Sequence, residues 1–270
     1  MTATARGAAL PVLRRGVLDD WRGLIGWSSG IAAIVFLYLP LFPAMQTPEL
    51  TGLLDSLPPE LVQTLGYNSI ATGAGYTQAT FFGLTGFVMI TIAGISWGTA
   101  FTAGAEESGK LELTLAHGVG RVQYALESSA ALLAKLLLLG TVALLLIWAV
   151  NGPAELELSA DNLLAVTKAW VGLGMLTAST AFVVGAVTGR RSWSLGAGAG
   201  LAVAGYALQA VANNNPDLDG LRLLSPFEWA YGTAPLANGF DWAGLSALWG
   251  GAALLIAVAA VALSRRDILG

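Results

Sequence analysis

Only 13 of the 270 residues are Lys or Arg, and where they fall constrains the fold more than any other feature. Arg6, Arg14, Arg15 and Arg22 precede the first long apolar stretch. Lys110 and Arg121 follow the second, Arg190 and Arg191 the fourth, and Arg265 and Arg266 the sixth. The connections between hold only Arg222 and are rich in carboxylates, among them Glu49, Asp55, Glu60, Glu155, Glu157 and Asp161. Loops kept on the cytoplasmic side of a membrane retain Lys and Arg, while Asp and Glu weigh little in orientation. The alternation therefore predicts six crossings with both termini on the cytoplasmic side.

Composition agrees. Charged residues make up 11% of the chain and mean hydropathy is +0.68, against about 25% charged residues in a soluble domain. The expected fold is an all-α polytopic membrane protein with six transmembrane helices, N-in and C-in, forming one transmembrane domain over 1–270. A span needs about 20 apolar residues, which places spans at 24–44, 79–101, 129–150, 164–187, 194–212 and 243–263. The first is read as a retained span, since no apolar run precedes Leu24 and Asp19-Asp20 interrupt any twin-arginine signal. Residues 1–23 contain a basic amphipathic stretch that predicts an interfacial helix lying flat on the inner leaflet. Residues 102–127 form an inner loop and 213–242 an outer segment. A further short helix is predicted at the outer surface near 56–66, where Pro58-Pro59 open and Gly66 closes an apolar pattern. Trp27, Trp97 and Trp193 fall at inner span ends, and Trp148, Trp170 and Trp242 at outer ends, where indole rings prefer the membrane–water boundary.

Several patterns resemble chemistry and fail on inspection. Gly104 to Leu111 nearly fits the phosphate-cradling G-x-x-x-x-G-K-[ST] motif, but Leu111 replaces the magnesium-holding hydroxyl and Glu106-Glu107 would repel phosphate. Glu106-Glu107 also suggests an intramembrane protease, yet the chain has one histidine, His117, and no cysteine. Neither a zinc site nor a thiol nucleophile can be assembled from that set. No catalytic or metal-binding residue is expected. Lys135 and Lys168 enter spans 3 and 4. Buried, they would mark function; the expectation is that both snorkel to water from near the span ends. Gly94/Gly98, Gly185/Gly189 and Gly196/Gly200 are spaced for close helix packing.

The inner loop carries the strongest functional signal. Glu106, Glu107, Gly109, Lys110, Leu111, Glu112, Leu113, Leu115 and Arg121 mix charges with three leucines that lack an apolar partner within the loop, as in a helix that rests in a groove of another protein. With Ala116 and Val119, this run resembles the inner loop of ABC-2-type ABC transporter permeases, and Lys135 resembles the lysine that opens their third span. Lys110, Gly118 and Gly120 depart from the usual Thr, Pro and Ser. Leu224-Ser225-Pro226-Phe227-Glu228-Trp229 and Asn238-Gly239-Phe240-Asp241-Trp242 are similar to the outer segment of actinobacterial permeases of the polyketide-antibiotic and multidrug exporter type.

The resemblance implies a non-catalytic permease subunit in a bacterial cytoplasmic membrane, moving a hydrophobic or amphipathic compound outward. Two copies of a cytoplasmic ABC ATPase would bind ATP and Mg and engage Glu106, Glu107, Gly109, Lys110, Leu111, Glu112, Leu115 and Arg121. Arg14, Arg15 and Arg22 would supply a secondary ATPase contact. A second permease subunit, identical or related, would complete the path. Phe227 and Trp229 are either an outer gate or interfacial anchors. The uncharged span residues Gln78, Thr85, Thr91 and Gln209 suit a cargo path. Membrane lipid is the expected surround, and nucleic acid is not an expected partner. The competing classes are a secondary carrier or channel, which favours ionisable groups inside the spans, and an intramembrane enzyme.

Overall fold

The computed structural model describes residues 10–46, 71–214 and 216–266; the helix expected near 56–66 lies outside them. The described residues are mostly helical, and no strand occurs among them. Six helices are long and apolar enough to cross a membrane. In chain order the elements are α1 (Pro11–Leu18), α2 (Trp21–Met45, through a 3₁₀ turn at Leu39–Leu41), α3 (Gly73–Ala100), α4 (Ala103–Glu107), α5 (Lys110–Ala116), α6 (Arg121–Asn151), α7 (Ala160–Thr188), α8 (Arg191–Asn214), α9 (Pro226–Tyr231), α10 (Pro235–Asn238) and α11 (Trp242–Arg265). A 3₁₀ segment, Pro216–Leu224, links α8 to α9, so the segment between the last two long helices forms short helices as expected.

Local chemistry sets the helix starts. Ser159 accepts a hydrogen bond from Asn162 N at α7, Ser225 accepts from Glu228 N at α9, and Asp241 Oδ1 accepts from Ala243 N and Gly244 N at α11. Each satisfies backbone donors that a helix leaves open at its first turn. At the other end of α7, Gly189 takes φ 63°, the left-handed conformation that closes a helix without Cβ strain.

α7 is the hub. Of its most apolar stretch 78% is buried, against 22% for α2 and α8, and α3, α6, α8 and α11 pack round it while α2 packs mainly on α6. α3 approaches it most closely at Gly98, where a Cβ would lie 2.4 Å from the Ala178 carbonyl oxygen. Gly94 and Gly98 therefore serve close packing, as the spacing implies. Gly196 and Gly200 do not: a Cβ on either would meet nothing within 4 Å.

Four expectations change. Third-span helix α6 opens at Arg121, not at 129, and α3 opens at Gly73, not at 79. Hydropathy marks where a helix becomes apolar, not where it starts. At 31 residues, α6 is about 46 Å long, which exceeds a hydrocarbon core of about 30 Å. Second, α1, expected as an interfacial helix, packs along α6. Glu127 accepts from Val12 N at 2.7 Å, a Cβ on Gly16 would touch Ala131, and Asp20 pairs with Lys135. Three contacts at one constant offset mean that α1 runs parallel to the first turns of α6. The Glu127 carboxylate, which also accepts from Leu13 N, satisfies the open donors at the start of α1. Third, Trp170 is wholly buried between Phe81 and Phe82, with ring centroids 5.6 and 6.0 Å away. Trp97 is buried against Trp27. Both are packing residues rather than boundary anchors, whereas Trp148, Trp193 and Trp242 are exposed.

Fourth, Lys135 does not snorkel. Because α6 starts at Arg121, Lys135 lies about 21 Å along the helix at 1.5 Å per residue. Its side chain is 3% exposed, its Nζ sits 2.8 Å from Asp20 Oδ2, and the rings of Trp97 and Phe101 cover it at 4.9 and 5.1 Å. Lys168, by contrast, is exposed over the face of Phe240.

Candidate functional site

The Lys- and Arg-bearing connections gather at one end of the bundle, here the basic end. Gly109, at φ 70°, turns the chain between α4 and α5. Glu106 forms a two-pronged ion pair with Arg266 just past α11, with Nη1 2.9 Å from Oε2. The same guanidinium donates to Ala186 O of α7, and Arg121 donates to Arg266 O at 2.6 Å. Glu107 accepts from Arg191 N at 3.1 Å. Bidentate guanidinium–carboxylate pairs are among the stronger polar contacts because both charge and geometry are matched. The α4–α5 hairpin is thereby tied to α6, α7, α8 and α11 together.

The leucines of α5 divide. Leu111 is 1% exposed and packs with Tyr124, Phe182, Val183 and Leu263. Leu115 leans on the same cluster, as does Val12 of α1. The sequence argument that three leucines lack an apolar partner is corrected: two find one inside their own chain, because α5 folds back onto the bundle. Leu113, the third of them, is 61% exposed on the opposite face, with Lys110 and Glu107 also exposed. Glu106, Leu111 and Arg121 brace the hairpin; Glu107, Lys110 and Leu113 present it. Arg14 and Arg15 are exposed on α1, and Arg22 lies over the Trp21 ring at 5.3 Å. Asp20, Glu127 and Arg266 were missed as structural partners. Part of the signal was available, since Glu127 and Lys135 are eight residues apart in the chain, as are Val12 and Asp20, so each pair falls on one face of its helix.

The opposite end is built differently. A cavity of about 940 Å³ opens between α3, the end of α8 and the α9–α10 segment. It brings together Gln78, Gln209 and Phe227, which the sequence had assigned to two separate roles. Thr85, Thr91 and Trp229 do not line it. Thr85 donates back to Thr80 O, Thr91 is buried in α3, and Trp229 Nε1 donates to Leu223 O. The α3 wall is a π-helical stretch, Gln78–Thr85, in which Gly86 N reaches back to Phe81 O. Such wide turns are uncommon and recur at functional sites.

Phe227 makes edge-on contacts with Phe87, Tyr206 and Tyr231 at 5.2, 5.4 and 4.8 Å between centroids. Phe227 thus stands in the cavity wall. Gln78 Oε1 accepts from Leu236 N at 3.0 Å and fastens α10 to α3. Two polar atoms at the wall have no partner: Gln209 Oε1 and the Tyr231 hydroxyl. Burial pushes the Tyr231 pKa well above its ordinary value, so the group stays a neutral O–H donor.

Among the described residues no three His, Cys, Asp or Glu side chains converge as a metal site would require. The stretch from Gly104 to Leu111 falls across α4, its turn and the start of α5, not in a loop between strand and helix. No protein-family model matches the chain, and no curated protein matches it.

Proposed function

We propose that this chain is the membrane subunit of an ATP-driven exporter of the ABC-2 permease type. The basic end would face the cytoplasm, and a separate ATPase would drive it through the α4–α5 hairpin. One observation carries the reading. α5 sinks Leu111 into the bundle while holding Leu113 outward, on a mount cross-tied to four long helices. A solvated linker has no use for such a mount; a lever that transmits a push does, since force applied at the exposed face reaches the spans only through stiff contacts. Two ATPase copies and a second permease subunit would complete the machine, with ATP and Mg bound between the ATPases.

A secondary carrier gains support from one feature, the buried Lys135–Asp20 pair, because ionisable groups inside spans mark ion pathways. The pair is better accounted for as a brace. Asp20 is partly exposed at the joint between α1 and α2, and the only other span lysine, Lys168, is exposed near the far end of α7.

Co-purification tests the proposal. The tagged chain, extracted with mild detergent from its own host, should carry an ATP-hydrolysing subunit. Leu113→Asp should reduce that association about tenfold or more, the scale of burying an unpaired charge in an apolar groove, while leaving the yield of folded permease unchanged. Absence of any ATPase, or hydrolysis that scales with the pure chain, would defeat the reading.

A further inference from the structure

The cavity at the opposite end has the features of a small-molecule site, and its lining restricts what can enter. Its volume of about 940 Å³ lies near the upper end of ligand cavities, which run about 300–1,000 Å³. None of its lining residues is Asp, Glu, Lys, Arg or His. An ionic guest would lose hydration there without gaining a counter-charge, and so is disfavoured. Tyr206 and Phe227 offer ring edges and faces, which favour a guest with rings of its own. Gln209 Oε1 needs a donor and the Tyr231 hydroxyl needs an acceptor. Both atoms are closed to a water-sized probe and lie behind the wall, so the polar groups the wall offers a guest include the amide side chains of Gln209, Asn213 and Asn214. The π-helical turn shapes the wall: at Gly83 a Cβ would stand 3.1 Å from Gln78 O and 3.8 Å from the Phe227 ring, so the missing side chain keeps the space open.

We infer that this cavity binds an uncharged, ring-bearing compound that carries both a hydroxyl or amide donor and a carbonyl or hydroxyl acceptor. The donor and acceptor meet the amide side chains of Gln209, Asn213 and Asn214, and the rings lie against Tyr206 and Phe227. That this compound is the exported cargo rests on the exporter reading; that the cavity binds it does not.

The test uses the purified full-length chain in nanodiscs, without any ATPase, and 4-(hydroxymethyl)benzophenone as the probe. This molecule is uncharged, has two rings, a hydroxyl and a carbonyl, and cross-links on illumination. Peptide mapping should place the label within 71–85 and 206–237. Gln209→Leu should lower that labelling about tenfold, the scale of one lost buried hydrogen bond. Ala79→Trp, which adds bulk from an exposed position on the cavity wall, should lower it at least as far, and it checks the result should the first variant fold poorly. Leu145→Ala on the exposed face of α6 should change nothing. Label spread evenly over exposed apolar faces, label indifferent to both cavity variants, or label seen in lipid-free detergent but absent in the nanodiscs would overturn the inference; the last would mean that a lipid chain fills the space. Because the measurement needs no partner, a failed ATPase co-purification leaves its outcome intact, and the two hypotheses fail separately.

Discussion

The two ends of the bundle contrast in how they treat polar atoms. At the basic end, and along the α1–α6 seam leading from it, Glu106, Glu107, Arg121, Arg266, Glu127, Asp20 and Lys135 are bound to one another or to backbone groups of another element, Glu112 Oε2 being an exception. At the opposite end a large cavity is bordered by a glutamine oxygen and a phenol that bond to nothing. A region in which charges are matched across helices resists deformation, because each displacement breaks several contacts at once. A region with orphaned polar atoms and space has unspent binding capacity. The difference separates a part built to hold its shape from a part built to receive something.

The contrast can be broken by mutation. The largest effect is expected at Asp20. Asp20→Ala leaves the Lys135 ammonium buried with only aromatic faces for company, and should cost about 3 kcal/mol, the lower end for a broken buried pair because Asp20 is itself partly exposed. Thermal unfolding in detergent measures it, and a change below half that size would mean the pair is no brace. Glu106→Gln should cost less, about 1.5–3 kcal/mol for hydrogen bonds to a charged group, because Arg266 keeps the Ala186 carbonyl and some access to water. The smallest effect is expected across the cavity. Tyr231→Phe removes a hydroxyl that has no partner, so stability should stay within about 0.5 kcal/mol or rise. A loss comparable to that at Glu106 would erase the distinction between the ends.

Much of the architecture is legible in the sequence, for physical reasons. The Lys/Arg alternation reports the number of crossings because each basic connection has to come back to the same end. Apolar run length reports the spans because hydrocarbon thickness is fixed. Helix starts are less legible: Arg121 to Ser128 reads as a polar loop, yet it continues α6 because α1 packs along it and Glu127 turns inward. The site residues divide the same way. Gln78 and Gln209 stand out as polar groups in apolar helices and do meet at one cavity. Leu111 and Leu113 are two residues apart and chemically identical, and only the path of α5 across the bundle decides which is anchor and which is exposed. Lys135 looks like a span-end cation while the end of its span is misplaced. Arg266 reads as one of a pair of orientation charges; its grip on Glu106 joins residues far apart in the chain, and no local pattern encodes that.

The parallel seam between α1 and α6 has a mechanical corollary. With Val12, Gly16 and Asp20 each matched to a residue one helical step further along the other rod, the leading helix cannot slide without dragging the third crossing, and the first crossing hangs from it by the two-residue joint at Asp19-Asp20. A tug on the N-terminal tail would therefore be felt by two crossings at once, like a rope tied to a mast and its boom.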